Sequence, residues 1–122
     1  MNKNRRQIVG KWGEDIAEQM LIRRGYKIIG RNIRTLYGEI DLIADDGNAI
    51  VFIEVKTRSL SSFGFPEASI TKKKYLHLQE SAVSYLQEHA ELIGDWRIDV
   101  ISIEGRPDGP TPKITWFENV VS

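Results

Sequence analysis

The spacing of apolar residues predicts a first helix near the start of the chain. In residues 6–24, apolar side chains recur every three or four positions, as in a helix with one buried face. Gly25 supplies a stop signal. Gly10 and Gly13 lie inside this helix, where a glycine costs about 0.5–1 kcal/mol relative to alanine. We therefore expect another element to approach that surface closely.

A second helix is predicted from residue 69 or 71 to residue 92. A hydroxyl residue at its start is a typical cap, and Gly94 is expected to close it. Its inner face is predicted at four apolar positions: Leu76, Ala82, Val83 and Leu86.

Alternating apolar and polar residues predict five strands, at residues 26–33, 39–44, 49–57, 96–103 and 113–117. The third strand, the second helix and the fourth strand form a β-α-β crossover, whose two strands are expected to be parallel. The sequence therefore predicts an α/β fold with a mixed sheet flanked by helices. A length of 122 residues suits one domain, covering residues 1–122.

The second and third strands form a predicted hairpin whose two faces differ in chemistry. One face is entirely apolar and is predicted to be core: Ile40, Leu42, Ala44, Val51, Ile53 and Val55. The opposite face carries Glu39, Asp41, Ile43, Phe52, Glu54 and Lys56. A two-residue turn at Gly47 and Asn48 would set Asp41 directly opposite Glu54. The other even-numbered turns would place these two acids one diagonal apart, and a three-residue turn would slip the register.

Two acids facing each other need something to offset their repulsion. At about 4 Å and an effective dielectric near 20, two unit charges repel by roughly 4 kcal/mol, whereas a good cross-strand pair contributes only about 0.2–1 kcal/mol. A proton, the Lys56 ammonium or a divalent cation such as Mg²⁺ could supply the offset. The alternative is a solvent-exposed face with screened charges, but Ile43 and Phe52 on the same face favour a covered one.

Composition narrows the classes of protein. There are no cysteines, which excludes disulfides and thiolate metal sites, and no apolar run approaches the roughly 20 residues of a membrane span. We expect a cytoplasmic protein. The net charge is zero, but residues 1–37 hold nine Lys or Arg and three acids, a net charge of +6. This asymmetry indicates either a nucleic-acid partner or a solvated helix with basic ends.

Several motifs in order resemble a known family. Asp41 followed by Glu54-Val55-Lys56 is similar to the PD-(D/E)XK signature of restriction-endonuclease-like nucleases. The segments GKWGEDIAEQML, GYKIIGRNIRTLYGEIDLIADDGNAIVFIEVKTRS, FGFPEASITKKKYLHLQESAVSYL and WRIDVISIE resemble the YraN family of small bacterial proteins within that superfamily. The likeness extends over nearly the whole chain.

The resemblance implies an αβββαβ core of the restriction-endonuclease-like fold and kinship with archaeal Holliday-junction resolvases. It implies metal ligands at Glu14, Asp41, Glu54 and the Val55 carbonyl, and a catalytic Lys56. The usual proline before the first acid is replaced by Ile40, a common departure.

The implied activity is Mg²⁺- or Mn²⁺-dependent endonucleolytic hydrolysis of DNA, branched or single-stranded. The alternative is a nuclease-fold module that binds nucleic acid, or a protein, without cutting. Resolvases act as dimers, so a homodimer is also compatible with the resemblance, although the sequence shows no dimer face.

Basic and polar residues outside the motif are candidate nucleic-acid contacts, each with an ordinary solvated residue as the alternative. They are Arg31, Arg34 and Arg58 beside the site, Lys72 and Lys73 in a lysine run at the start of the second helix, and Gln79, which lies one helical turn after Tyr75. In the loop predicted at residues 58–68, Phe63 or Phe65 could wedge into nucleic acid, with packing as the alternative. Asp99 is interpreted as structural, paired with Arg97 or another base.

Overall fold

The computed structural model describes residues 4–58 and 71–120. Two helices and five strands follow one another as α1 (Arg5–Arg23), β1 (Lys27–Thr35), β2 (Gly38–Asp45), β3 (Ala49–Arg58), α2 (Lys72–Glu88), β4 (Asp95–Glu104) and β5 (Lys113–Phe117). Every predicted helix and strand is present. The predicted loop residues Phe63 and Phe65 lie outside the described residues.

The strands form one mixed sheet in the order β1-β2-β3-β4-β5. β1, β2 and β3 are antiparallel neighbours, β3 and β4 are parallel, and β5 returns antiparallel to β4. The parallel pair confirms the predicted β-α-β crossover through α2. The first six elements are the αβββαβ core of the restriction-endonuclease-like fold, and β5 extends its sheet.

Each helix covers one face of the sheet. On the α1 side, Ala17 and Leu21 pack against residues of β2, β3 and β4 such as Leu42 and Ile53. On the α2 side, the buried residues include Ile43, Phe52, Leu78, Ala82 and Tyr85. The hairpin face that carries the acids is therefore partly covered by a helix, as Ile43 and Phe52 indicated, while Glu39 at its end stays exposed.

One residue of the predicted apolar face lies elsewhere. Ile40 packs in the α2-side core together with Ile43, and not with Leu42 and Ala44 as predicted. Ile40 still pairs with Ile33 of β1 but lies before Leu42, where pairing with β3 begins, so the change of face falls where β2 separates from β3.

The predicted inner face of α2 is confirmed at Ala82 and Leu86, which lie in or against the α2-side core, but it is wrong at Leu76 and Val83. Leu76 and Val83 are 44% and 40% exposed, whereas the buried residues of α2 are Leu78, Ser81, Ala82 and Tyr85. The helix also ends at Glu88, four residues before the predicted end, because His89 leaves the helical conformation and a turn follows it. Gly94 adopts φ +108° just before β4, so it belongs to the next connection.

Gly13 sets how closely α1 approaches the sheet. A Cβ on Gly13 would overlap the Thr57 hydroxyl of β3, so only glycine permits this contact. The expected close approach is therefore confirmed at Gly13, but it is wrong at Gly10, where a Cβ would meet nothing within 4 Å. The contact brings the next residue, Glu14, alongside the end of β3.

Asp99, a residue of β4, is the centre of a buried polar network. Its carboxylate, which is fully buried, accepts from Arg97 Nε at 3.0 Å, Trp116 Nε1 at 2.9 Å and the Asn119 amide at 2.8 Å. Arg97 also donates to Asp46 at 2.7 Å. This confirms the structural interpretation of Asp99 and ties the β2–β3 turn to β4.

Candidate active site

The hairpin turn places the two acids opposite each other. The Asp46 amide donates to the Ala49 carbonyl at 3.1 Å, which leaves Gly47 and Asn48 as a two-residue turn. Leu42 then pairs with Ile53, and the same register sets Asp41 opposite Glu54. Of the turns considered from sequence, this is the one that brings the two carboxylates closest.

The strands separate where the acids lie. Asp41 Oδ2 accepts a hydrogen bond from the Val55 amide at 2.8 Å, so a carboxylate takes the place of a backbone partner beyond Leu42. In a strand, the N–H and C=O of one residue point to the same side. The Val55 carbonyl therefore points toward the same gap as Asp41, which matches the ligand role that the resemblance implies.

Asp41 carries the strongest perturbation of this region. Burial and then the nearby charge of Glu54 raise its pKa to about 7, although the hydrogen bond from the Val55 amide acts in the opposite direction. The charge of Glu14 raises the pKa of Asp41 further, and that of Lys74 lowers it. Asp41 is therefore far easier to protonate near neutral pH than an ordinary aspartate.

The negative charge of Glu54 is offset by the ammonium of Lys74, a partner that was not predicted from the sequence. Glu54 is 5% exposed, and its Oε2 forms an ion pair with Lys74 Nζ from the first turn of α2. Burial alone would lower the pKa of Lys74, but the hydrogen bond and charge of Glu54 raise it above its usual value. Lys74 lies four residues before the buried Leu78, so correct helical phasing would have pointed it inward.

Lys56 is half-buried two residues beyond Glu54. Alternation along β3 sets Phe52, Glu54 and Lys56 on one face, and Phe52 lies in the α2-side core. In the parallel ladder Lys56 pairs with Ser102 of β4. The predicted catalytic lysine therefore shares its sheet face with one of the predicted metal ligands.

Glu14 reaches the site from the other side of the sheet. Its Oε1 accepts from Asn32 Nδ2 at 3.1 Å and lies 3.5 Å from Arg31 Nη2. Asn32 also donates to Glu39 at 3.3 Å and adopts φ +49°, a left-handed conformation that asparagine tolerates better than most residues. Nothing in the sequence indicated that Asn32 would link Glu14 to Glu39.

The three predicted acidic ligands do not form a closed metal cluster. Among residues 4–58 and 71–120, no group of three or more His, Cys, Asp or Glu side chains has an arrangement that could hold a metal ion. Asp41 and Glu54 face each other, whereas Glu14 is engaged by Arg31 and Asn32. The remaining donor set, two carboxylates and one backbone carbonyl, fits Mg²⁺, which typically takes one or two carboxylates and keeps several waters.

A cavity of about 350 Å³ opens beside Glu54. β2 contributes Gly38 and Glu39 to its wall, and α2 contributes Lys73, Lys74 and His77. Its volume lies at the lower end of the range for ligand pockets, about 300–1,000 Å³. Glu54 is therefore reachable from solvent through a partly cationic opening.

The three arginines predicted to contact nucleic acid have different surroundings. Arg31 is held against α1 by ion pairs with Asp15 at 2.7 Å and Glu18 at 3.3 Å. Arg34 is 90% exposed in its side chain, with Glu39 at 3.8 Å. Arg58 lies at the end of β3, 3.5 Å from Glu104. Of the three, Arg34 is the most available to a ligand.

The remaining predicted contacts lie on α2. Lys72 and Lys73 are exposed in its first turn, and Lys73 lines the cavity beside Glu54. Gln79 is exposed and lines a separate depression with Tyr37 and Trp96. The structure thus brings Lys73 near the acids and leaves Gln79 apart from them, and their binding roles stay predictions.

Comparison with known proteins now identifies the family. The model of the Uncharacterised protein family UPF0102 matches residues 13–103, which contain the whole acidic site. The chain belongs to this family. It is the YraN family, within the restriction-endonuclease-like superfamily, so the resemblance seen in the sequence is confirmed.

Relatives in several bacteria share most of the chain. A UPF0102 protein of Syntrophomonas wolfei is 43% identical over 95 residues, covering 78% of this chain and 83% of its own. One from Dehalococcoides mccartyi is 38% identical over 121 residues, covering 99% and 98%. The UPF0102 family assignment therefore holds along the full length.

A solved structure with a more distant likeness is that of SfsA from Pyrococcus furiosus in complex with Ca²⁺, with a TM-score of 0.41 and 17% identity. The match covers 95% of this chain but 64% of that one, so this chain spans less than two thirds of SfsA.

Neither described helix is long and apolar enough to cross a membrane.

Proposed function

We propose that this UPF0102 protein is a cytoplasmic, metal-dependent endonuclease that hydrolyses phosphodiester bonds in DNA. The observation that carries the proposal is the acidic pair formed by buried Glu54 and half-buried Asp41 where β2 and β3 separate. Burying two facing carboxylates is unfavourable unless a positive group offsets them. Such a pair does not stabilise the fold. This favours a functional reason for its presence.

The residues of the gap would hold Mg²⁺ or Mn²⁺. Asp41, Glu54 and the Val55 carbonyl are the candidate ligands, and Glu14, whose charge already acts on Asp41, would hold a metal-bound water. When bound, such an ion supplies a polarised phosphoryl oxygen and a water of lowered pKa.

The chain's own residues would position and stabilise the substrate. Lys56, on the face of Glu54, is proposed to stabilise the negative charge that develops on the phosphate, an electrostatic contribution that is large in a site from which water is excluded. Exposed Lys73 lines the cavity, and exposed Arg34 lies 3.8 Å from Glu39, which also lines it; both are candidate contacts to flanking phosphates.

A second candidate function is a nucleic-acid-binding or protein-binding module that does not cut. The ion pair between Lys74 and Glu54 favours it, since it satisfies Glu54 with a cation that belongs to the chain. The two functions differ in one respect that can be measured: cutting needs a divalent ion and Asp41, whereas binding alone needs neither.

The deciding experiment is a cleavage assay on end-labelled linear, flapped and four-way DNA with Mn²⁺, and on single-stranded DNA and RNA. We expect cutting by the wild type and a loss of about a hundredfold or more in Asp41→Asn, since removal of one electrostatic group commonly costs about 10²–10³ in rate. Asp45→Asn, in the turn of the same hairpin, is the matched control. Absence of cutting by folded protein on every substrate would favour the binding module.

A further inference from the structure

Lys74 stands where the proposed metal site and the cavity meet. Its ammonium contacts Glu54 Oε2, one of the oxygens that a divalent ion would need. The same side chain lines the cavity with Lys73 and His77 and is 57% exposed. It can therefore turn from Glu54 to the cavity without moving the helix backbone.

The position of Lys74 in α2 is unusual for a residue that serves only helix stability. Thr71 is the N-cap, and its hydroxyl accepts from the Lys74 amide at 3.1 Å, which makes Lys74 the third residue of the helix. Glutamate or glutamine is favoured there, because it can complete a capping box. A lysine in the first turn instead opposes the helix dipole. The contact with Glu54 therefore explains Lys74 better than the cap does.

We propose that Lys74 exchanges partners during metal and substrate binding. In the metal-free protein its ammonium occupies the cation position at Glu54. When a divalent ion takes Glu54, Lys74 is displaced into the cavity and binds a phosphate of the nucleic-acid strand. Lys74 is thus a positioning residue that couples metal binding to substrate binding, and this inference rests on the proposed function of the site.

The first test is Mn²⁺ affinity measured by calorimetry without nucleic acid. Lys74→Gln removes the competing ammonium, so we expect Mn²⁺ to bind about five- to tenfold more tightly, because a partly exposed ion pair contributes little more than that. Lys113→Gln makes the same charge change on an exposed lysine of β5 and should alter affinity less than about twofold. Lys74→Arg keeps the cation and should behave like the wild type. Circular dichroism checks that each variant is folded.

The second test is the salt dependence of binding to a labelled single-stranded oligonucleotide with Ca²⁺ present. One phosphate contact contributes about 0.7 to the slope of log K against log salt concentration on a single strand. We expect Lys74→Gln to lower the slope by about this amount and Lys74→Arg to retain it. The proposal requires both the tighter Mn²⁺ binding and the smaller slope.

The outcomes separate this inference from the proposed function. If wild type binds Mn²⁺ and the oligonucleotide but Lys74→Gln changes neither more than Lys113→Gln does, partner exchange is wrong and the nuclease proposal stands. Weaker Mn²⁺ binding by Lys74→Gln would also overturn it. If the wild type binds no Mn²⁺, both the exchange and the metal-dependent nuclease are wrong.

Discussion

Replacing Asp41 with asparagine should make the protein more stable at neutral pH. Asparagine keeps an oxygen that can accept from the Val55 amide but cannot carry the charge that repels Glu54. Burial and Glu54 raise the pKa of Asp41 from 3.8 to about 7, a difference of about three units. At roughly 1.4 kcal/mol per unit, the ionised carboxylate costs the folded state about 4 kcal/mol.

The sign of the pH dependence follows from the raised pKa. Below about pH 4, Asp41 is protonated in both the folded and the unfolded chain and makes no difference. Between about pH 4 and 7, the unfolded chain loses this proton while the folded chain keeps it, so the free energy of unfolding falls. Above about pH 7 the loss is complete. Asp41→Asn lacks this titration, so the stability difference between the two proteins should grow by about 4 kcal/mol from pH 4 to pH 8.

Urea denaturation followed by tryptophan fluorescence, at several pH values, measures this difference. Asp108→Asn, at a site whose side chain is 70% exposed, removes an acid without a buried partner and is the matched control. Subtracting the curve of each variant from the wild type cancels the titrations that they share. Parallel curves for wild type and Asp41→Asn between pH 4 and 8 would refute the idea that Asp41 is held at an energetic cost.

Two further predictions concern the packing that supports the site. Gly13→Ala should destabilise the protein by about 1–3 kcal/mol, because its methyl group would overlap Thr57, whereas Gly10→Ala should stabilise it by about 0.5–1 kcal/mol; equal urea midpoints for the two variants would contradict the contact. Asp99→Ala should lower the free energy of unfolding by about 3 kcal/mol or more, since Arg97 and other buried donors lose their acceptor. Thermal denaturation would show this, and a loss below about 1 kcal/mol would argue against the network.

Local periodicity was enough to predict every helix and strand, but not every residue of α2 that faces the sheet. Leu76 and Val83 are apolar and yet exposed, while Ser81 is 1% exposed. Ser81 can be buried because its hydroxyl shares a hydrogen bond with Thr35 at 2.8 Å, a partner 46 residues away in the chain. Such a partner is invisible to a count of apolar positions, so Ala82 and Leu86 were placed correctly on the inner face while Ser81 was missed.

The same distinction separates the predicted and unpredicted parts of the site. Asp41 and Glu54 could be set opposite each other because strand alternation and a two-residue turn are local rules. Lys74 and Asn32 were missed as partners of the acids. Lys74 arrives through the packing of α2 on the sheet, and Asn32 through a left-handed backbone conformation in β1. Both depend on long-range packing that no local pattern encodes.

The way the acidic pair is satisfied bears on the choice between cutting and binding. In the folded chain, three groups offset it: the proton that Asp41 takes up more readily than an ordinary aspartate, the hydrogen bond from the Val55 amide, and the ammonium of Lys74 at Glu54. The amide is fixed in the backbone, but the proton and the ammonium can both leave. A divalent ion could replace the proton and the ammonium together. Neutral or apolar side chains at positions 41 and 54 would not bind such an ion. In a nuclease the proton and the ammonium leave when the metal binds, whereas in a module that only binds both stay, so Mn²⁺ affinity separates the two functions.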